Sequence, residues 1–154
     1  MRELTHIGVI RTPFQTKDAT PIQGAFQPEN VGEVELFDEY AEGLEGIDGF
    51  THLILLYEFD RAAPVTLKRM TFLGDEEHGV FATRHPARPN PIGLTVVRLL
   101  GREGNTLRVG MADVLDGTPL LDVKPYIPRF DAYPDASEGW LAGAPERPKP
   151  PGRE

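Results

Sequence analysis

The chain has 154 residues, no cysteine and a net charge of −8 at pH 7. This length suits one ordinary domain, and the absence of cysteine excludes disulfides, thiolate metal sites and cysteine nucleophiles. No apolar run reaches the roughly 18–20 residues of a membrane-spanning helix and no secretory signal precedes the first strand, so we expect a cytoplasmic protein without a membrane partner.

The first half of the chain predicts three strands separated by loops. Residues 4–11 mix apolar and β-branched side chains, residues 32–37 alternate apolar and acidic ones, and residues 51–59 form the most apolar stretch. The proline-containing residues 12–31 predict a long loop, of the kind that is usually functional when it is ordered. Residues 38–45 predict one or two helical turns with Asp38 as the N-cap.

The second half predicts more short strands. Residues 66–74 fit either a helical or an extended connector, and residues 79–83 predict a short strand before a proline-rich loop. Gly104-Asn105 predicts a hairpin between strands at 94–102 and 106–115, and residues 120–126 predict the last strand. These elements favour an all-β barrel or barrel-like sheet over residues 1–141. Residues 142–154 contain four prolines and predict an extended tail.

The charges are unevenly distributed along the sequence. Residues 1–83 carry a net charge of −9, residues 84–129 carry +3 and residues 130–154 carry −2. Because nucleic-acid binding depends on the density of Lys and Arg, an RNA partner would have to use a local patch in the middle segment.

The first chemical motif is residues 79–94, GVFATRHPARPNPIGL. Three prolines fix the backbone and bias the residues before them to extended conformations. A rigid loop with forked guanidinium groups suits the recognition of carboxylates and phosphates, although such a loop could also simply cross the end of a barrel. The loop presents three polar side chains: Arg84, Arg88 and Asn90.

The second motif is residues 113–126, DVLDGTPLLDVKPY. Its turn dipeptide Asp116-Gly117 fits a hairpin with an acidic tip. It also fits a binding site, since carboxylates accept hydrogen bonds from ribose hydroxyls and attract a sulfonium or ammonium cation. Five ionisable side chains fall within 14 residues: Asp113, Asp116, Asp122, Lys124 and Tyr126.

Other common site patterns are missing from the sequence. The four histidines show no paired ligand spacing, so we expect no metal site. No Walker loop, dinucleotide-binding glycine motif or nucleophile elbow occurs, which leaves nucleotide hydrolysis, Rossmann-type binding and hydrolase chemistry without support.

These two motifs, GVFATRHPARPNPIGL and DVLDGTPLLDVKPYIP, resemble the TrmO family of tRNA methyltransferases. The resemblance extends from residues 7–13 through 44–53 to residues 134–136. It implies a single antiparallel β-barrel unlike the Rossmann-type methyltransferases, and a homodimer. It also implies S-adenosylmethionine-dependent methylation of N6 on a threonylcarbamoyl-modified adenosine next to the tRNA anticodon.

The resemblance also implies a set of contacts. The residues at the family's cofactor positions are Gln23, Gly24, Ala25, Phe59, Asp60, Arg84, Leu94, Gly110, Met111, Ala112 and Asp113. We expect substrate contacts from Arg88, Asn90, Lys124 and Tyr126, with the arginines holding either a carboxylate or a tRNA phosphate. The carbamoylated N6 is a poor nucleophile, so a base should help, and the candidates are Asp113 and Asp116.

Two departures from the family pattern affect the interpretation. His85 stands where the family often has Ser, and longer relatives carry an additional C-terminal domain thought to help hold tRNA. Two alternatives therefore stay open: a barrel that senses S-adenosylmethionine and signals to a partner, and a methyltransferase for a small metabolite or a protein. Turnover with tRNA and co-purification of RNA distinguish them.

Overall fold

Strands account for most of the regular structure in the computed structural model, which describes residues 2–15, 30–70 and 76–143. The strands are β1 (Gly8–Arg11), β2 (Val31–Leu36), β3 (His52–Glu58), β4 (Lys68–Met70), β5 (Glu77–Gly79), β6 (Ile92–Glu103), β7 (Thr106–Gly110) and β8 (Thr118–Pro125). Among the described residues, the helical segments are four 3-10 turns, Asp38–Leu44, Ile47–Gly49, Val80–Ala82 and Gly139–Leu141, and one short α-helix, α1 (Pro128–Asp131).

The chain divides into two compact units. The first consists of Met1–Asp60 and Ile92–Tyr126, and the second of Arg61–Pro91 and Ile127–Glu154. Six strands of the first unit close into a barrel in the order β1-β2-β7-β6-β3-β8, with each neighbouring pair antiparallel. The predicted all-β, single antiparallel barrel is therefore confirmed.

The barrel interior is filled by alternate residues of its strands. Leu53, Leu55 and Tyr57 of β3 point inward with exposures of 5% or less, as the period of two along a strand requires. A fully buried aliphatic side chain stabilises the fold by about 1.5–3 kcal/mol. The core also contains Ile10, Val34, Leu36, Leu44, Ile47, Val97, Leu107, Val109, Val114 and Leu120.

Antiparallel pairing gives the barrel two distinct ends. At the upper end, β1, β3 and β7 finish while β2, β6 and β8 begin; at the lower end the opposite holds. The 3-10 turns between β2 and β3 lie at the lower end, and bury Leu44 and Ile47 in the core. Arg102 Nη1 donates a hydrogen bond to the Leu44 carbonyl at 3.1 Å and fixes this closure.

The predicted hairpin between β6 and β7 is present, and its loop consists of the two residues Gly104 and Asn105. Gly104 has φ of 62°, which glycine adopts without steric cost. Asn105 then ties the hairpin to the end of β2: its Nδ2 donates to the Leu36 carbonyl and to Asp38 Oδ1, and its own carbonyl accepts from the Leu36 amide at 2.9 Å. Asp38 thus serves as an acceptor for Asn105. The predicted side-chain N-cap at Asp38 is wrong, because the N-cap residue is Phe37 and no side chain caps the turn.

The second unit contains the two-stranded ribbon β4–β5, followed by a turn at Val80–Ala82. The strand predicted at residues 79–83 is wrong in this part. The Val80 amide donates to the Leu67 carbonyl at 2.8 Å, after which the Thr83 amide donates back to Val80 at 3.1 Å and closes a 3-10 turn. No helix within the described parts of the chain is long and apolar enough to cross a membrane.

Candidate functional site

The connection from β7 to β8 crosses the upper end of the barrel. The strand predicted at residues 106–115 stops at Gly110, because Met111 adopts a left-handed backbone conformation with φ of 66°. This conformation is uncommon for a side chain larger than Asn, and it turns the chain out of the β7 ladder. The following residues Ala112, Asp113 and Val114 are buried, so the Asp113 carboxyl is only 7% exposed.

A close approach of backbone to backbone holds this connection in place. A Cβ atom at Gly32, near the start of β2, would lie 2.8 Å from the Arg11 carbonyl oxygen and 3.2 Å from the Ala112 Cβ. The Ala112 amide donates to the Asn30 carbonyl at 3.3 Å. Glycine at position 32 therefore allows the residues after β1 and β7 to pack against β2.

Asp116 binds the segment that follows β1. Its Oδ1 accepts from the Thr12 amide at 3.1 Å, its Oδ2 accepts from Gln15 Nε2 at 3.4 Å, and its own amide donates to the Phe14 carbonyl at 2.7 Å. Thr12 also donates its hydroxyl to the Val114 carbonyl at 2.6 Å. The Asp116 carboxylate therefore has a structural role in joining two loops at the upper end.

Replacing Asp116 with alanine is expected to lower the free energy of unfolding by about 1.5–3 kcal/mol, since the Thr12 amide loses a charged acceptor in a part-buried place. Urea denaturation followed by circular dichroism measures this loss. The matched control is Asp135→Ala, which removes an exposed carboxylate. Equal stability of the two variants would contradict the structural role of Asp116.

An aromatic pair sits where β3 leaves the barrel. Tyr57 and Phe59 pack edge to face, with ring centroids 5.4 Å apart and planes at 82°. A Cβ atom at Gly93 would lie 2.2 Å from Tyr57 Cε2 and 2.8 Å from Phe59 Cζ. Glycine at this position of β6 thus provides the space in which both rings lie. Next to it, Leu94 is 41% exposed.

The proline-rich loop in the second unit is held by its own side chains. Arg88 Nη1 donates to the carbonyls of Thr83 and His85, at 2.9 and 3.2 Å. His85 is 4% exposed and its Nδ1 accepts from the Ala87 amide at 3.0 Å. The guanidinium of Arg88 therefore stabilises the loop, whereas Arg84 and Asn90 are exposed.

The structure brings together only part of the predicted site. One group lies at the upper end of the barrel: Phe59, Asp60, Leu94, Gly110, Met111, Ala112, Asp113 and Asp116. Lys124 and Tyr126 lie at the lower end, where the Tyr126 amide donates to the His52 carbonyl at 3.0 Å. Arg84, Arg88 and Asn90 belong to the second unit. Gln23, Gly24 and Ala25 lie outside the described residues.

Sequence reasoning missed Gly93, Thr12 and Gln15. A glycine inside a strand signals a close approach, and Gly93 lies inside the motif of residues 79–94, so the signal was available. The partners of Asp116 were not visible, because they are separated from it by about a hundred positions in the chain. Within the described ranges, no group of three or more potential ligands could hold a metal ion.

Known proteins resemble this chain over most of its length. The family described as the tRNA-methyltransferase O N-terminal domain matches residues 9–132. A probable S-adenosyl-L-methionine-binding protein of Pyrococcus abyssi is 51% identical over 135 residues, which cover 88% of this chain and 73% of that protein. An S-adenosyl-L-methionine-binding protein of Archaeoglobus fulgidus is 47% identical over 128 residues, covering 83% and 91%.

Two bacterial relatives are longer than this chain. The tRNA (adenine(37)-N6)-methyltransferase of Escherichia coli is 36% identical over 153 residues, which cover 93% of this chain and 65% of that enzyme. The crystal structure of TrmO from Pseudomonas aeruginosa superposes with a TM-score of 0.77 at 40% identity, covering 91% of this chain and 62% of that one. The chain thus spans slightly less than two thirds of these two proteins.

Proposed function

The chain belongs to the TrmO family through its tRNA-methyltransferase O N-terminal domain, and from this membership we propose that it is an S-adenosylmethionine-dependent methyltransferase acting on tRNA. The observation that carries the proposal is the upper end of the barrel, where β7 is followed by the buried Asp113 and β3 is followed by Phe59, whose ring packs on Tyr57. Relatives named for binding this cofactor and for methylating adenine 37 support both halves of the proposal.

The residues at the upper end fit the proposed cofactor by their chemistry. An aromatic ring and an exposed leucine, Phe59 and Leu94, offer apolar surface to an adenine ring. The carboxyls of Asp60 and Asp113 can accept hydrogen bonds from ribose hydroxyls or attract a cationic group. When bound, the cofactor supplies an electrophilic methyl group, so the chain's own task is to orient the acceptor and exclude water.

The base of the proposed reaction is Asp113. Both candidate aspartates flank the same connection, and Asp113 is the more buried of the two. Asp113 would accept the proton that leaves N6 of the adenine, while the nitrogen electron pair would form the bond to the methyl carbon. The bond between that carbon and the sulfonium sulfur would break, and its electron pair would stay on the sulfur, which leaves as a neutral thioether. Its burial at 7% exposure strengthens the electrostatic interactions it makes with a bound substrate.

Arg84 is proposed to bind the carboxylate of the cofactor. The Arg84→Ala variant is expected to weaken binding of S-adenosylmethionine about 10- to 100-fold, because a hydrogen bond between charged groups contributes about 1.5–3 kcal/mol. Isothermal titration calorimetry measures the dissociation constant. Arg129→Ala is the matched control, since Arg129 is an exposed arginine that lies over the Phe130 ring of the same unit. Wild-type affinity in Arg84→Ala would remove Arg84 from the site.

We also propose that the substrate is a threonylcarbamoyl-modified adenosine at position 37 of tRNA. The protein is proposed to act as a homodimer in the cytoplasm. The support for these proposals is the family resemblance together with the net charge of +3 over residues 84–129. The test compares methylation of tRNA that carries the modification with methylation of the same tRNA without it. Analytical ultracentrifugation reports the oligomeric state. Equal rates on the two tRNAs would exclude this specificity, and a monomer that turns over would exclude the dimer.

A second candidate function is a binding protein without turnover. It is favoured by the names of the archaeal relatives, which describe S-adenosyl-L-methionine binding and no reaction. Incubation with cofactor labelled on its methyl group and with bulk tRNA distinguishes the two functions. Label transferred to RNA establishes the enzyme. Cofactor binding at micromolar concentration without transfer to RNA, protein or small molecules establishes the binding protein.

A further inference from the structure

One aromatic side chain of the second unit is held in solvent by a rigid turn. Phe81 is 76% exposed, although the preceding residue, Val80, is 1% exposed. The Thr83 amide donates a hydrogen bond to the Val80 carbonyl and closes the turn that contains Phe81. The Thr83 hydroxyl also donates to the Val80 carbonyl at 2.8 Å, so the turn is fixed twice. The turn therefore fixes the backbone position of Phe81, whose side chain is largely exposed.

Two further rings lie beside this turn. Ala82 is the residue after Phe81, and its carbonyl accepts a hydrogen bond from the indole Nε1–H of Trp140 at 2.7 Å. The indole also stacks on His78 of β5, with centroids 4.3 Å apart and planes at 14°. On the neighbouring strand, Lys68 pairs with Gly79 and is exposed. We call Lys68, His78, Phe81 and Trp140 together the Phe81 surface.

The charge of the segment that carries this surface differs from that of the barrel. Residues 61–70 and 76–91 contain five basic and two acidic side chains, a net charge of +3. Residues 127–143, which carry Trp140, contain one basic and three acidic side chains, so the described part of the second unit has a net charge of +1. The described part of the barrel unit contains six basic and fourteen acidic side chains, a net charge of −8. A polyanion is therefore attracted to the segment around Phe81 and repelled by the barrel unit.

We propose that the Phe81 surface binds an unpaired base of a tRNA loop by stacking on the Phe81 ring, with Lys68 contacting the adjacent phosphate. This inference rests on the proposed function, since it names where the RNA partner is held. Unpaired bases in RNA loops stack on aromatic side chains, and such contacts tolerate any base because every base has a π-face. A second copy of the chain fits less well, because the core of a protein–protein interface is depleted in charged residues.

The test measures binding of a fluorescein-labelled anticodon stem–loop RNA with adenosine at position 37, by fluorescence anisotropy. Phe81→Leu keeps an apolar side chain but removes the ring, and is expected to weaken RNA binding about tenfold. Phe81→Trp keeps a ring and is expected to bind within about twofold of the wild type, since stacking needs only an aromatic face. Tyr133→Ala is the matched control, because Tyr133 is a 70% exposed aromatic residue of the same unit in a segment of net negative charge.

The Lys68→Ala variant gives an independent readout. Loss of one phosphate contact should reduce the slope of log K against log salt concentration by about 1, whereas Phe81→Leu should leave that slope unchanged. Sedimentation velocity and cofactor titration on each variant show whether oligomeric state and the cofactor site are intact.

The outcomes separate this inference from the proposed function. If the wild type methylates tRNA and Phe81→Leu binds the stem–loop as tightly as the wild type, the stacking surface is wrong while the methyltransferase stands. If Phe81→Leu dissociates an oligomer, the surface is an interface between copies and the inference fails. If RNA binding depends on Phe81 but no methyl group is transferred, the surface stands and the proposed reaction fails. A wild type that binds no RNA overturns both.

Discussion

An alanine at position 8 is expected to destabilise the barrel by about 3 kcal/mol, the upper range for overpacking a filled interior. Gly8 lies in β1, where it pairs with Leu36 of β2 and Leu120 of β8. A Cβ atom there would lie 2.2 Å from the Glu35 carbonyl oxygen and 3.1 Å from the Leu36 Cα. Both are backbone atoms, so no side-chain rotation relieves the overlap and the β1–β2 ladder has to shift.

Thermal denaturation followed by circular dichroism measures this effect, and a loss of that size lowers the Tm by roughly 10 °C in a protein of this length. Gly101→Ala is the matched control, because Gly101 also lies in a barrel strand and no atom would lie within 4 Å of its Cβ. Alanine at that position is expected to leave the stability within about 1 kcal/mol of the wild type. Equal Tm values for Gly8→Ala and Gly101→Ala would contradict this prediction, because they would show that β1 can accommodate a Cβ atom at position 8.

The largest expected effect on activity comes from Asp113→Asn. Asparagine keeps the size of the side chain but cannot accept the N6 proton, so kcat at saturating cofactor and tRNA is expected to fall about 10²- to 10⁴-fold. Single-turnover methylation measures the chemical step, and calorimetry with S-adenosylmethionine checks that the cofactor still binds.

Asp116→Asn provides the comparison for that experiment. Its carboxylate holds the Thr12 amide and the Gln15 side chain, so we expect a loss of stability with a much smaller loss of kcat. A larger loss of kcat in Asp116→Asn than in Asp113→Asn, at a temperature where both are folded, would transfer the role of base to Asp116.

Local turn chemistry and strand alternation were predictable from the sequence. Gly104-Asn105 predicted the β6–β7 hairpin because glycine adopts the positive φ of this turn without help from distant partners. The alternating pattern of residues 32–37 predicted β2 within a residue at each end, because one face of that strand packs in the core. The barrel class followed from the number and length of such strands.

Features that depend on distant partners were not predictable. Residues 79–83 were predicted as a short strand, but the chain turns because the Val80 amide pairs with the Leu67 carbonyl on the preceding segment. Lys124 and Tyr126 are close to Asp116 in sequence, and were predicted to share its site. The strand β8 lies between Asp116 and these two residues. Its eight residues span roughly 25 Å at the rise of an extended strand, so Lys124 and Tyr126 lie at the other end of the barrel.

The strand pattern did not place the candidate site. It put Gly110 to Asp113 inside a strand at 106–115, and only the family resemblance assigned them to a cofactor site, whereas β7 ends at Gly110 and the residues after it lie at the barrel end. The strained φ of Met111 and the burial of Asp113 have no local signature, since both result from packing against β2 and the residues after β1.

The closure of the barrel limits how a second chain can associate with it. In the described part of the chain each of its six strands has a neighbour on both sides, so the barrel offers no edge strand to which another strand could be added. Association by extension of this sheet, the route that leads to domain-swapped and fibrillar assemblies in open sheets, is therefore closed to it. A homodimer of this barrel has to be built from side-chain packing, and single surface substitutions should suffice to dissociate it without unfolding the protomers.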